Sequence, residues 1–175
     1  MPFTLLLGGA RSGKSDAALR LATSSGRPVV VVATAAPRDD EMAERIRWHR
    51  AARPPEWTTL EVPLDVAAAL GQVPPEAFVV VDCLSLWVSN AIEAGATSDG
   101  IESDARSVAG RLAAREGPAA VVSNEVGLGI VPVNELGRRY RDELGRVNAA
   151  FAREASRAFL VVAGRALELG APTFT

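Results

Sequence analysis

The chain has 175 residues, enough for a single domain that buries a core without disulfides or a structural metal. Its net charge of -2, with both signs interspersed among 23% charged residues, excludes the basic stripe that nucleic-acid binding by phosphate neutralisation needs. A single cysteine, a start without a charged leader and no apolar run long enough to span a bilayer indicate a cytoplasmic chain with no stable membrane insertion.

Phe3 to Leu7 is an apolar run of strand length that leads into Gly8-Gly9-Ala10-Arg11-Ser12-Gly13-Lys14-Ser15. This segment satisfies the pattern of a glycine, four variable residues and Gly-Lys-Ser, and an Ala/Leu-rich helix to about Leu21 follows. The glycines let backbone N–H groups turn inward around phosphates, and Lys14 supplies a point charge to the β and γ groups. The Ser15 hydroxyl can ligate magnesium. Eighteen of the nineteen basic residues are arginines, and the one lysine is Lys14.

Val29 to Ala33 is the next apolar run, and a helix is expected between Asp39 and Ala52, with acids at its start and arginines toward its end, as its dipole favours. Arg45, His49 and Arg53 stand at i, i+4 and i+8, so they share a stripe if helical geometry persists to the residue before Pro54. Arg47 and Arg50 add charge nearby. A cationic neighbourhood attracts polyphosphate and would leave His49, the only histidine, neutral and nucleophilic beside a nucleotide's α-phosphorus. Met42, Ile46 and His49 also form a helical stripe, and spacing alone favours a core face on which the histidine is simply satisfied.

Trp57 to Val62 reads as a short, marginal strand, and Phe78 to Val81 as a buried one ending in Asp82. An acid in that place either holds magnesium or caps the helix starting near Leu84, and the phosphate loop in the same chain favours the metal. Cys83 reads as a small buried side chain. Ile101, Ala105, Val108 and Leu112 form a helical stripe, with Asp99 and Glu102 as its capping pattern and Gly117-Pro118 as its stop. Ala119 to Val122 is the fourth continuous apolar run, followed by Asn124, which shapes a turn, and Glu125. Glu125 either polarises a hydroxyl, orients magnesium or holds the glycine loop together. Leu136, Tyr140, Leu144, Val147 and Phe151 make a second helical stripe, expected like the first to face the sheet, and Phe159 to Ala163 is the last strand. Continuously apolar strands alternating with helices define an α/β chain whose mainly parallel central sheet is flanked by helices on both faces. The loops between these elements are too short to be domain linkers, so residues 1–175 are expected to form one unit.

Several of these segments, taken together, resemble the bifunctional adenosylcobinamide kinase/adenosylcobinamide-phosphate guanylyltransferase family of cobalamin biosynthesis. They are the phosphate loop, Asp40-Glu41-Met42 with Arg45-Ile46 and His49, Arg53-Pro54 with Trp57 and Glu61, Asn124-Glu125-Val126-Gly127 through Gly129 to Pro132, and Gly145 to Asn148. The resemblance covers nearly the whole chain, and the Asn-Glu-Val-Gly segment is its most specific part. It implies a three-layer P-loop NTPase with a RecA-like sheet, working as a homotrimer. It also implies two reactions: phosphorylation of adenosylcobinamide by ATP or GTP, then transfer of GMP from GTP to the adenosylcobinamide phosphate through a GMP-histidine at His49. Nucleotide contacts carry over to Gly8, Gly9, Ala10, Arg11, Ser12, Gly13, Lys14 and Ser15, to Ala33, Thr34 and Ala35, to Arg50, Ala51, Ala52 and Arg53, and to Glu61 and Asp82. On this reading Lys14 and His49 are catalytic, and Ser15 with Asp82 holds Mg2+.

Overall fold

A computed structural model describes residues 3–171, so positions 1–2 and 172–175 of the expected 1–175 unit lie outside the described residues. In chain order the elements are β1 (Thr4–Gly8), α1 (Lys14–Ser24), β2 (Val29–Ala33), α2 (Asp40–Ala51), β3 (Thr58–Glu61), α3 (Val66–Leu70) and β4 (Phe78–Asp82). They continue with α4 (Leu84–Glu93), α5 (Ser98–Ala113), β5 (Ala119–Asn124), α6 (Glu135–Glu154), β6 (Arg157–Val162) and β7 (Arg165–Leu169). One seven-stranded sheet takes all the strands in the order β3-β2-β4-β5-β1-β6-β7. Every pairing is parallel except β6 with β7. Because β5 lies between β1 and β4, the strand before the phosphate loop and the strand ending in Asp82 are not neighbours, which is the RecA-like arrangement.

Alternate side chains of the strands enter two cores. Phe3, Leu5, Val32, Val79, Val81 and Val121 meet residues of α3 to α6 on one face. Leu6, Val31, Val80, Ala120 and Val122 meet Ala18 and Ala22 of α1 on the other. The second face is the thinner one, because α2 contributes no fully buried residue. Helices on both sides of the sheet complete the three layers, and parallel strands covered this way carry the continuous apolar runs seen in the sequence.

Several boundaries differ from the sequence-based expectations. Thr97, not Asp99, caps α5: its Oγ1 accepts from Gly100 N at 3.2 Å, and Asp99 sits inside the first turn. In α6 the buried stripe is Leu144, Val147 and Phe151, whereas Leu136 is exposed and Tyr140 half-buried. A helix of 20 residues is about 30 Å long and outruns strands of five or six residues, so its first turns project beyond the sheet edge. Asn134 caps it there, accepting from Gly137 N at 2.6 Å. Helix α2 ends at Ala51, before the expected limit, and Arg53 lies past its C-cap with only a turn bond to Arg50 O at 3.2 Å. The last apolar run begins at Arg157 and stops at Val162, because Ala163 (φ 50°) and Gly164 (φ 75°) form the turn into β7. That antiparallel edge strand is exposed along its length and lacks a continuous apolar run.

Candidate active site

Gly8 to Gly13 link β1 to α1 as a tight turn. A side chain at Gly8 would place Cβ 2.3 Å from Val161 O and 2.7 Å from Ser12 Oγ, and Gly13 has a φ of 95°, so both positions require glycine. The β6–β7 turn braces the loop from outside, with Gly164 N donating to Ser12 O at 2.8 Å. Ser12 Oγ is buried without a hydrogen-bond partner among the described residues, a polar atom left over inside the cradle. Lys14 is buried, and its ammonium donates to Gly9 O at 2.7 Å. Burial pushes its pKa down, opposed by the Cys83 and Asp82 charges, while Arg45 pushes it further down.

Strand order aligns the remaining groups along the carboxyl edge of the sheet: Glu61 ends β3, Ala33 ends β2, Asp82 ends β4, Asn124 ends β5, and the phosphate loop leaves β1. Ligands of open α/β sheets bind at this edge. Helix α2 lies over it, held at its start by Asp39, whose carboxylate accepts from Met42 N at 2.7 Å. His49 Nδ1 stands 3.7 Å from Asp82 Oδ2, and Arg53 Nη2 stands 3.8 Å from the same oxygen. Burial lowers the Arg53 pKa, with Asp82 opposing. Arg53 also donates to Thr59 Oγ1 at 3.3 Å, and Arg50 pairs with Glu61 at 3.3 Å. Asp82 does not cap α4; Cys83 occupies that position and makes no side-chain cap bond. The Cys83 thiol is raised in pKa, by burial first and the Asp82 charge second, and sits 2.8 Å from Ser85 Oγ; it is half-buried on the cavity wall, less enclosed than the sequence suggests.

One cavity is lined by Lys14, Ser15, Ala33, Ala35, His49, Arg50, Arg53, Glu61 and Asp82, half of the positions read from sequence, and of the phosphate loop only Lys14 and Ser15 reach it. A second cavity adjoins it between α1 and α2 and shares Ser15, His49, Arg53 and Asp82, with Ala52 and the exposed Trp48 on its wall. Ala10, Arg11 and Ala51 are exposed outside both cavities. Thr34 is fully buried. Its hydroxyl donates to Cys83 O at 2.7 Å and accepts from Cys83 N at 2.9 Å, while its carbonyl accepts from Asn90 Nδ2 at 2.8 Å. Thr34 therefore ties β2 to the turn after β4. The stripe of Met42, Ile46 and His49 is half-buried and faces this cavity, not the core. Glu125 Oε1 accepts from Gly127 N at 2.6 Å, which matches the loop-holding alternative.

Sequence reading did not assign Thr59, Ser85, Tyr140 or the side chain of Asn124 to the site, yet all four line the cavity. Tyr140 was legible only as part of an apolar stripe. Its hydroxyl donates to Ser85 O at 3.3 Å, and burial pushes its pKa up to about 12. Ser15 and Asp82 offer one hydroxyl and one carboxylate, and no group of three His, Cys, Asp or Glu residues gathers among the described residues. Few, hard oxygen donors beside a phosphate cradle suit a cation that keeps waters and takes its other ligands from phosphate, as magnesium does.

A RecA-like sheet with a glycine cradle, a buried lysine and an acid two strands away defines a P-loop nucleotide-triphosphate enzyme. The fold is similar to that of a solved protein from Pyrococcus horikoshii OT3, with a TM-score of 0.58 at 9% identity, covering 95% of this chain and 85% of that one. The bifunctional adenosylcobalamin biosynthesis protein CobP of Pseudomonas aeruginosa is 43% identical over 166 residues, covering 94% of this chain and 95% of that protein. The corresponding CobU protein of Escherichia coli is 38% identical over 173 residues, covering 91% and 95%. Residues 4–169 match the family described as cobinamide kinase / cobinamide phosphate guanyltransferase, and the chain belongs to that family.

Proposed function

We propose that this protein phosphorylates the aminopropanol hydroxyl of adenosylcobinamide with ATP or GTP, then transfers GMP from GTP to that phosphate, giving adenosylcobinamide-GDP and pyrophosphate. The observation that carries this reading is the meeting of Lys14, Ser15, Asp82 and His49 on one cavity, which supports a nucleophilic role for His49 beside the phosphate loop. In the first step Lys14 stabilises charge on the transferred γ-phosphoryl group, and positioning by the loop supplies most of the rate. Ser15 and Asp82 would hold Mg2+, which would neutralise phosphate charge when bound.

In the second step His49 attacks the α-phosphorus, the bond to the β-phosphate bridging oxygen breaks, and pyrophosphate leaves with that electron pair. The cobinamide phosphate then displaces the histidine, so one difficult transfer becomes two easier ones. Nδ1 is the ring nitrogen turned toward Asp82, 3.7 Å from its Oδ2, so Nε2 is the nitrogen assigned to the attack. Arg53 and Arg45 offset charge on the phosphates, while Arg50, Glu61, Ala33 and Ala35 hold the nucleotide at the β2–β3 end.

The protein works in the cytoplasm as a homotrimer. Assembly is supported by the segment from Leu128 to Leu136, whose exposed Leu128, Ile130, Val131, Val133 and Leu136 are apolar side chains that contact between copies would cover. No helix among the described residues is long and apolar enough to cross a membrane. Product analysis tests the reaction: γ-labelled ATP should mark adenosylcobinamide phosphate, and α-labelled GTP should mark adenosylcobinamide-GDP. Nucleotide hydrolysis that adenosylcobinamide leaves unchanged, with no labelled corrinoid, would contradict the reading.

A further inference from the structure

The cavity extends past Asp82 toward β5, where the proposed reactions have so far used no residue. Asn124 ends β5 between the strand that carries Asp82 and the strand that carries the phosphate loop. It pairs in register with Gly8, so it stands one strand spacing, about 5 Å, from the first residue of the loop. A γ-phosphate held by Lys14 therefore has Asn124 as a side neighbour on the way to Asp82.

The asparagine is held from two directions. Its carbonyl accepts from Asn148 Nδ2 at 3.0 Å, and Asn148 Oδ1 in turn accepts from the buried Ser123 hydroxyl at 2.6 Å. Its own Nδ2 donates to Ser85 Oγ at 3.2 Å. Tyr140 fixes the same end by donating to Ser85 O at 3.3 Å. The amide oxygen of Asn124 accepts nothing among the described residues, although the residue lines the cavity. One fixed acceptor, next to the phosphate cradle and free of a protein donor, has the chemistry to receive an alcohol O–H.

We infer that Asn124, held by Ser85 and Asn148, is the acceptor-orienting residue of the kinase step: its Oδ1 takes the hydrogen bond of the substrate hydroxyl and aims the oxygen at the γ-phosphorus. The inference rests on the function proposed above and names the part of the site that seats the alcohol. The hydroxyl oxygen forms a bond to the γ-phosphorus as the bond to the β–γ bridging oxygen breaks, and the nucleoside diphosphate leaves with that electron pair. The hydroxyl proton passes to a non-bridging oxygen of the transferred group and from there to water, since an amide cannot take it. A loose phosphoryl transition state makes little demand on a base, so an orienting neutral acceptor suffices. Glu125, the nearest acid in sequence, is engaged with Gly127 N, and Tyr140 stays a neutral phenol with a pKa of about 12.

The test separates acceptor-dependent from acceptor-independent chemistry in the full-length protein. Asn124→Ala should lower kcat/KM for adenosylcobinamide phosphorylation about 100-fold, as loss of one aiming contact does. Its losses in GTP affinity and in GMP adduct formation at His49, neither of which involves the alcohol, should be at least about tenfold smaller than its loss in phosphorylation. Asn124→Asp keeps an acceptor oxygen and should recover part of the phosphorylation, while binding GTP more weakly through its added charge. Unimpaired phosphorylation by Asn124→Ala, or equal losses in GTP binding and adduct formation, would overturn the inference while leaving the proposed function standing. Failure of the wild-type protein to phosphorylate adenosylcobinamide would overturn both. If Asn124→Ala does not fold, the inference is decided by Asn124→Asp: phosphorylation no better than background, with the adduct intact, would overturn it.

Discussion

Lys14 is the only lysine of the chain, and it sits where burial makes its charge costly unless a phosphate is present. Its pKa lies below the ordinary lysine value, and the ammonium form is the one a triphosphate favours. GTP affinity should therefore be full below that lowered pKa and decline as pH rises through it, beginning earlier than a free lysine would dictate. Calorimetric titrations across alkaline pH check this. In Lys14→Met the decline should vanish, together with about 2 kcal/mol of binding. His49 and Asp82 show what sequence could and could not give at this scale. Spacing left each with a plain structural alternative, a core stripe for one and a helix cap for the other. Only the packing of α2 over the ends of β2, β3 and β4 brings the imidazole 3.7 Å from the carboxylate.

The phosphate loop and α2 differ in how firmly the fold holds them. The loop is locked by close approach, since any side chain at Gly8 meets a backbone oxygen of β6. Gly8→Ala should therefore weaken GTP binding by at least about tenfold and lower the melting temperature, both readable by thermal shift with and without nucleotide. Helix α2 buries none of its residues fully and depends more on its ends. Asp39→Ala removes its N-cap and should cost the helix about 1 kcal/mol. The GMP adduct at His49 should form more slowly in that variant, with phosphorylation of adenosylcobinamide nearly unchanged. The strands β1, β2, β4 and β5 were legible because burial on both faces writes continuous apolar runs. Strand β7 was not, since an exposed edge needs no such pattern, and Tyr140 packs against the core as its stripe indicates while its place on the cavity wall is something helical periodicity does not record.

Across the whole molecule, chemistry gathers on one edge because parallel strands bring all their carboxyl ends to the same side. Glu61 and the phosphate loop lie four strand spacings apart, about 19 Å, with Asp82 and Asn124 between them. The two cores make the faces unequal: one is sealed by α3 to α6, and the other leaves a cavity under α2 where His49, Arg53 and Ser15 meet. Sequence carried the individual motifs and the family resemblance, whereas strand order, which decides which motifs become neighbours, depends on pairings remote along the chain. On the proposed route this edge passes GMP through His49. Intact-protein mass spectrometry after incubation with GTP and magnesium tests it most directly. A mass gain of one GMP, labile in acid and absent in His49→Ala, is expected. An unmodified wild-type protein that nonetheless binds GTP, or an adduct that persists in His49→Ala, would contradict the claim.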